Sequence, residues 1–306
     1  MARRRPRARL GIAIISVAVL ALAVGGVSLF LSRDAEPDAK PGSKNEILAA
    51  WKAQDMQKTL DLSRASLETR PFDPFSLSFD GIASYYLSLL MDEGEERHEL
   101  LDEAVFSLRK ALALGKNFPV RAQVEYVLGK AYYQKGEPWY DLSVKYLELS
   151  KASGYLAKDA EQYLGLAYVG LGDHRAAVER FEAAIQAEPR DVLMLSAALS
   201  YKELGEDEKS EAYLSKVAES TMDEVLALKA RSTLAEMAIG KGEFHKAESL
   251  LLRVVEKDPE AADAWYLLGL VYEASKDPIK ARAAWRKATS INPNHIEARK
   301  RLAERL

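Results

Sequence analysis

Apolar residues recur along most of this chain at helical spacing. Leu268 and Tyr272 stand four apart, and Ala281, Trp285 and Ala288 step by four and three, so each set shares one helical face. No segment shows the alternation of a half-buried strand, so the pattern predicts an all-α fold. The pattern also repeats with a period of about 34 residues. In the copy from Ala262 to His295, Trp265 precedes Leu268, Gly269 and Tyr272; Ala281, Trp285 and Ala288 follow, and Pro293 closes the unit. One period upstream stand Leu234, Ala235, Ala247, Leu251, Val254 and Pro259. Another copy reads Leu164, Gly165, Tyr168, Gly172, Ala177, Phe181, Ala184 and Pro189. Each copy predicts two antiparallel helices. A small residue stands where the helices approach closely, large residues fill the space beside it, and the proline ends the second helix.

The same register marks further copies. Ala198, Tyr201, Gly205, Leu214 and Val217 define one, with a longer exit through residues 220–223. Leu128, Gly129, Tyr132, Gly136, Leu147 and Ser150 define another, with a small insertion at Pro138, Trp139 and Tyr140. Gly81, Ala104, Leu108 and Ala111 define a third, stretched by about eleven residues around 91–99. Trp51, Leu60 and Ser63 mark a degenerate first copy with a short first helix. The expected hairpins lie near 45–73, 74–118, 122–157, 158–190, 191–224, 228–261 and 262–295, and a charged helix over 296–306 caps the array.

These residues resemble the tetratricopeptide repeat (TPR), and the resemblance covers about 45–306. It implies a TPR-type α-solenoid of about seven hairpins that binds proteins or peptides. It also implies a concave wall lined by the first helix of each hairpin. On that basis the inward residues are Phe75, Ile82, Tyr85 and Tyr86; Tyr126, Lys130 and Tyr133; and Gln162, Leu166 and Val169. Further along they are Leu195, Leu199 and Lys202; Lys229, Ser232 and Glu236; and Tyr266, Leu270 and Glu273. The wall lacks the lysine–asparagine clamp with which co-chaperone members grip a C-terminal carboxylate. Its N-terminal half is rich in tyrosine, which suits an apolar or amphipathic partner segment. The alternative is that these rings only pack between hairpins or against the chain's own N-terminal helix.

Residues 10–31 carry no charge. At about 1.5 Å per residue they span roughly 33 Å, enough for a bilayer core of about 30 Å. Arg3, Arg4, Arg5, Arg7 and Arg9 precede them, so the 1–9 tail is expected in the cytoplasm. A cleaved signal peptide is the competing reading, with Ala21 and Ala23 as the cleavage-site pair. The long apolar run favours a retained transmembrane helix. Residues 32–44, with Pro37, Pro41 and Gly42, read as a linker. The repeats are then expected outside the inner membrane of a bacterium, in the periplasm.

Composition narrows the chemistry. Hydrophobic residues make up 48% of the chain, enough to bury a core, and there is no cysteine for disulfides or thiolate metal sites. Six of the 43 bases precede Asp34 and none of the 46 acids does, so the remainder is acidic and ill suited to nucleic acid. His98, His174, His245 and His295 lie too far apart in sequence for a helical metal pair, and each is expected in a turn or at a helix end, in solvent. Gly165, Gly170 and Gly172 only faintly suggest a phosphate loop and lack its Lys-Ser/Thr. The acids Asp92, Glu93, Glu95, Glu96, Glu99, Asp102 and Glu103 do not follow calcium-loop spacing and read as a solvated helix extension. The expectation is a scaffold with no catalytic residue, cofactor, metal or small-molecule substrate. The alternative is a fixed structural subunit of an envelope complex, such as a secretion or flagellar motor assembly.

Overall fold

The structure, a computed structural model, describes residues 42–115 and 118–304. The expected tail, transmembrane helix and most of the linker lie outside the described residues. Among those residues, no helix is long and apolar enough to cross a membrane. The fold there is all-helical and TPR-like, with fifteen helices and no strand.

The helices form two compact units, divided after Gly172. The first unit holds α1 (Lys44–Lys52), α2 (Met56–Thr69), α3 (Pro74–Ser88), α4 (Glu95–Leu114), α5 (Arg121–Lys135), α6 (Tyr140–Ala152) and α7 (Ala160–Gly170). Each packs against the next in sequence, and α1, α3, α5 and α7 also touch in succession. The second unit holds α8 (His174–Ala187), α9 (Asp191–Glu203), α10 (Asp207–Ser220), α11 (Glu224–Gly240) and α12 (Phe244–Lys257). It ends with α13 (Ala262–Ala274), α14 (Pro278–Ile291) and α15 (Ile296–Ala303). Here α9, α11 and α13 make the same kind of row.

Local signals explain the helix starts. Asp55, Asp73, Asp173 and Asp277 each accept a hydrogen bond from the backbone N–H of the third residue of the helix that follows, and Ser43 builds a full capping box with Glu46. Pro74 and Pro278 occupy the first helical position, where no N–H is needed. Most of the turns within hairpins use a left-handed residue. Gly205 and Gly242 supply it at φ +71° and +76°, while Lys276 takes φ +59° at the matching place before α14.

The small residues of the repeat sit where helices nearly touch. Gly129, Gly165, Ala177, Ala198, Ala235, Ala247, Gly269 and Ala281 are all buried. A Cβ on Gly269 would lie 2.1 Å from Nε1 of Trp285, and one on Gly129 would lie 3.0 Å from the backbone nitrogen of Leu147. Trp285 is buried, while Trp265 and Tyr272 are half-buried against it. Pro189, Pro259 and Pro293 stand exposed in the turns, and Nε1 of Trp265 reaches back 3.0 Å to the carbonyl of Pro259.

Candidate partner-binding site

In the first unit, α1, α3 and α5 surround a half-open cleft of about 340 Å³, mouth included. Trp51 lines it from α1, Phe79, Ile82 and Tyr86 from α3, and Gln123, Tyr126 and Val127 from α5; Val120 and Tyr155 complete the rim. Its enclosed part is about 20 Å³, room for about one water molecule. The walls are rings in contact: Trp51 lies 5.9 Å from Phe79 and 5.8 Å from Tyr86, and Tyr126 lies 5.4 Å from Tyr155, between centroids. Two polar atoms on these residues, Nε1 of Trp51 and Oε1 of Gln123, are buried without a hydrogen-bond partner. An unmade hydrogen bond at a buried group costs about 1–3 kcal/mol.

Most aromatic residues expected on an open wall are covered instead. Ile82, Tyr85, Tyr86, Tyr126 and Lys130 are buried, while Phe75 and Tyr133 are half-buried. Trp51 of α1 covers Tyr86, and the segment carrying Tyr155 and Asp159 covers Tyr126. Burial dominates the phenol chemistry. It pushes Tyr86 up to about 12 and raises Tyr85 and Tyr126 well above the ordinary tyrosine value.

Behind the cleft, the ammonium of Lys130 is fully enclosed. It donates to Oδ2 of Asp159 at 3.0 Å and to the hydroxyl of Tyr126 at 3.1 Å, and that hydroxyl itself donates to Asp159. The rings of Tyr163, Tyr126 and Tyr85 flank it at 4.5, 5.0 and 5.8 Å. This box joins α3, α5 and α7, and it takes Lys130 out of any open groove.

The remaining expected wall residues are spread out. Leu166 is half-buried and Val169 exposed, whereas Gln162 and Leu195 are buried. Leu199, Ser232, Tyr266 and Leu270 are half-buried and Lys229 is exposed. Lys202 and Glu236 pair with each other at 2.7 Å between α9 and α11, and Glu273 pairs with Arg301 of α15 at 3.3 Å. In the second unit, charge pairs therefore occupy three of the nine positions that the resemblance assigned to a partner.

Of the acidic stretch, Glu95 onward belongs to α4, where Asp102 pairs with Lys135 and Glu103 with Arg64. His295, expected in solvent, is buried. Its Nδ1 accepts from the N–H of Ala298 at 3.3 Å and so caps α15, and its ring lies 4.9 Å from Tyr266. The sequence signal was its place immediately before the last helical run.

Asp80 is a buried carboxylate that the sequence reading passed over, although it is the single acid in α3. Desolvation raises its pKa from 3.8 to about 6, with the nearby charge of Glu103 adding to it; the Ser107 hydroxyl, 2.5 Å away, and Arg64 oppose the rise. The folded state therefore holds this proton more tightly than the unfolded chain. Its contribution to stability is present at low pH and is lost as pH rises from about 4 to 6. The full span is worth up to about 3 kcal/mol. Asp80→Asn should be more stable than the wild type at pH 7.5, with the gap closing as pH falls towards 4. Urea titrations at several pH values, with hydrogen exchange read in α3 and α4, check this. A gap that does not change with pH would contradict it.

Paired helices with small residues at each close approach define a class, the helical-hairpin repeat proteins. Within that class, the tetratricopeptide repeat model matches residues 164–224 and 233–296. Among solved structures, the chain is similar to the C-terminal part of a TPR repeat-containing protein from Cytophaga hutchinsonii. The TM-score is 0.59 at 15% identity, over 84% of this chain and 98% of that one. It is also similar to a chain of the APC/C hetero-tetramer Cut9–Hcn1, with a TM-score of 0.52 at 14% identity, over 86% of this chain and 55% of that one. At these identities the likeness is one of fold. Comparison with curated proteins gives no match.

Proposed function

We propose that this chain is a membrane-anchored scaffold that holds a partner protein by an extended or helical segment laid over the α1–α3–α5 cleft. The observation that carries the reading is the cleft itself, with its aromatic walls and half-open mouth. Such a surface suits the apolar side chains of a partner segment laid across the rings at the mouth. Anchoring rests on the uncharged run over residues 10–31 and the arginines before it, which would place the repeats on the far side of a bacterial inner membrane. There the chain would act by raising the local concentration of its partner.

Gln123→Lys tests the reading, because it places a long charged side chain at the cleft wall. In crosslinked pull-downs from membranes, proteins recovered with the wild type should fall at least about tenfold with this variant, a loss of about 1.4 kcal/mol in binding. The same recovery from a variant with wild-type helicity and melting would rule the cleft out as the docking site.

A further inference from the structure

We propose that the turn between α2 and α3, together with the facing side of α4, rests on the lipid surface beside the anchor; this inference builds on the anchored reading above. Phe72 in the turn and Phe106 on α4 are 64% and 65% exposed. They form one patch, because the Lys110 ammonium lies 4.9 Å from the first ring and 5.7 Å from the second. Exposed Arg70 stands two residues before Phe72. Of the neighbouring acids, Asp73 is engaged as the cap of α3 and Glu103 is paired with Arg64, while Glu68 is exposed. Rings with cations beside them are the composition of a surface that settles at the headgroup boundary.

The point where the tether arrives selects lipid as the occupant. The described chain begins at Gly42, at φ +83°, pressed so closely on α2 that a Cβ there would meet the Leu62 carbonyl at 2.6 Å. The Arg70 guanidinium lies 3.5 Å from the Gly42 carbonyl, and Phe72 follows two residues later. Only ten residues, 32–41, separate this point from the apolar run. Fully extended they reach at most about 35 Å. The patch is thus at the end of a short leash, with a bilayer as its standing neighbour.

The chain has no cysteine, so single labels are clean. Full-length Phe72→Cys, Phe106→Cys and, as control, Ile279→Cys (82% exposed, in the second unit) would carry a bimane label. Each would be reconstituted into phosphatidylethanolamine–phosphatidylglycerol vesicles containing nitroxide lipid. Quenching at positions 72 and 106 should exceed that at 279 by at least about twofold, a difference within reach of interfacial insertion. Equal quenching at all three positions in chains that resist alkaline carbonate extraction would overturn the lipid contact and leave the anchor standing. Labels at 72 and 106 that are shielded without quenching would assign the patch to a protein and also overturn it. A chain that carbonate strips from the vesicles would overturn both readings, since the leash is the premise.

Discussion

Lys130→Ala is expected to cost the first unit about 3–5 kcal/mol, the range for removing one partner of a buried ion pair. The loss has three sources. Asp159 is left as a largely buried carboxylate without its ammonium, the Tyr126 hydroxyl loses a donor, and three rings lose the cation between them. Lys130→Met keeps most of the stem and isolates the charge. Combining it with Asp159→Asn should recover most of the loss, since the pair then leaves together. Urea melts of the single and double variants measure this. A loss under about 1 kcal/mol for Lys130→Ala would show that the box is not what joins α3, α5 and α7.

Trp285→Ala should be the most damaging change in the second unit, at about 3–5 kcal/mol. The ring is fully buried among Ala281, Ala288, Ala298, Trp265, Tyr266 and Leu270, and its Nε1 donates to the Tyr266 carbonyl at 3.2 Å. Repeats communicate chiefly with their neighbours, so the damage should stay local. Hydrogen exchange should accelerate in α13, α14 and α15 while α9 and α10 remain protected. Exchange rising equally through α8 to α15 would show a single cooperative block instead. Gly269→Ala offers a second view of the same contact, because its methyl enters the space of the indole. Combined with Trp285→Leu it should cost less than the two changes summed, as residues in contact do.

The helical repeat was legible because its signal is local. Glycine or alanine must stand where backbones approach, and the spacing of Gly269, Ala281 and Trp285 follows from helical geometry alone. The candidate site was only half legible. The resemblance places Tyr85, Tyr126 and Lys130 on one wall but says nothing of what covers that wall. The cover comes from Trp51 and from the 155–159 segment, across contacts about one repeat distant in sequence. A lysine four residues from a tyrosine, within the otherwise apolar run from Tyr126 to Tyr133, with an acid about one repeat later, was the available hint of the box. Asp80 gave a similar hint as a lone acid among serines and aromatics. The cleft itself had no sequence signature, because its open mouth depends on how three helices diverge.

The tyrosine box around Lys130 also bears on which visitors the chain can accept. Rings disposed around a cation are a general device for capturing methylated ammonium groups. Here the vacancy is filled from within, by a side chain whose counter-ion is built into the same lining. A foreign ammonium would have to evict a tethered rival, so on the proposed reading selectivity falls to the cleft next door, where the guest would bring grease rather than charge.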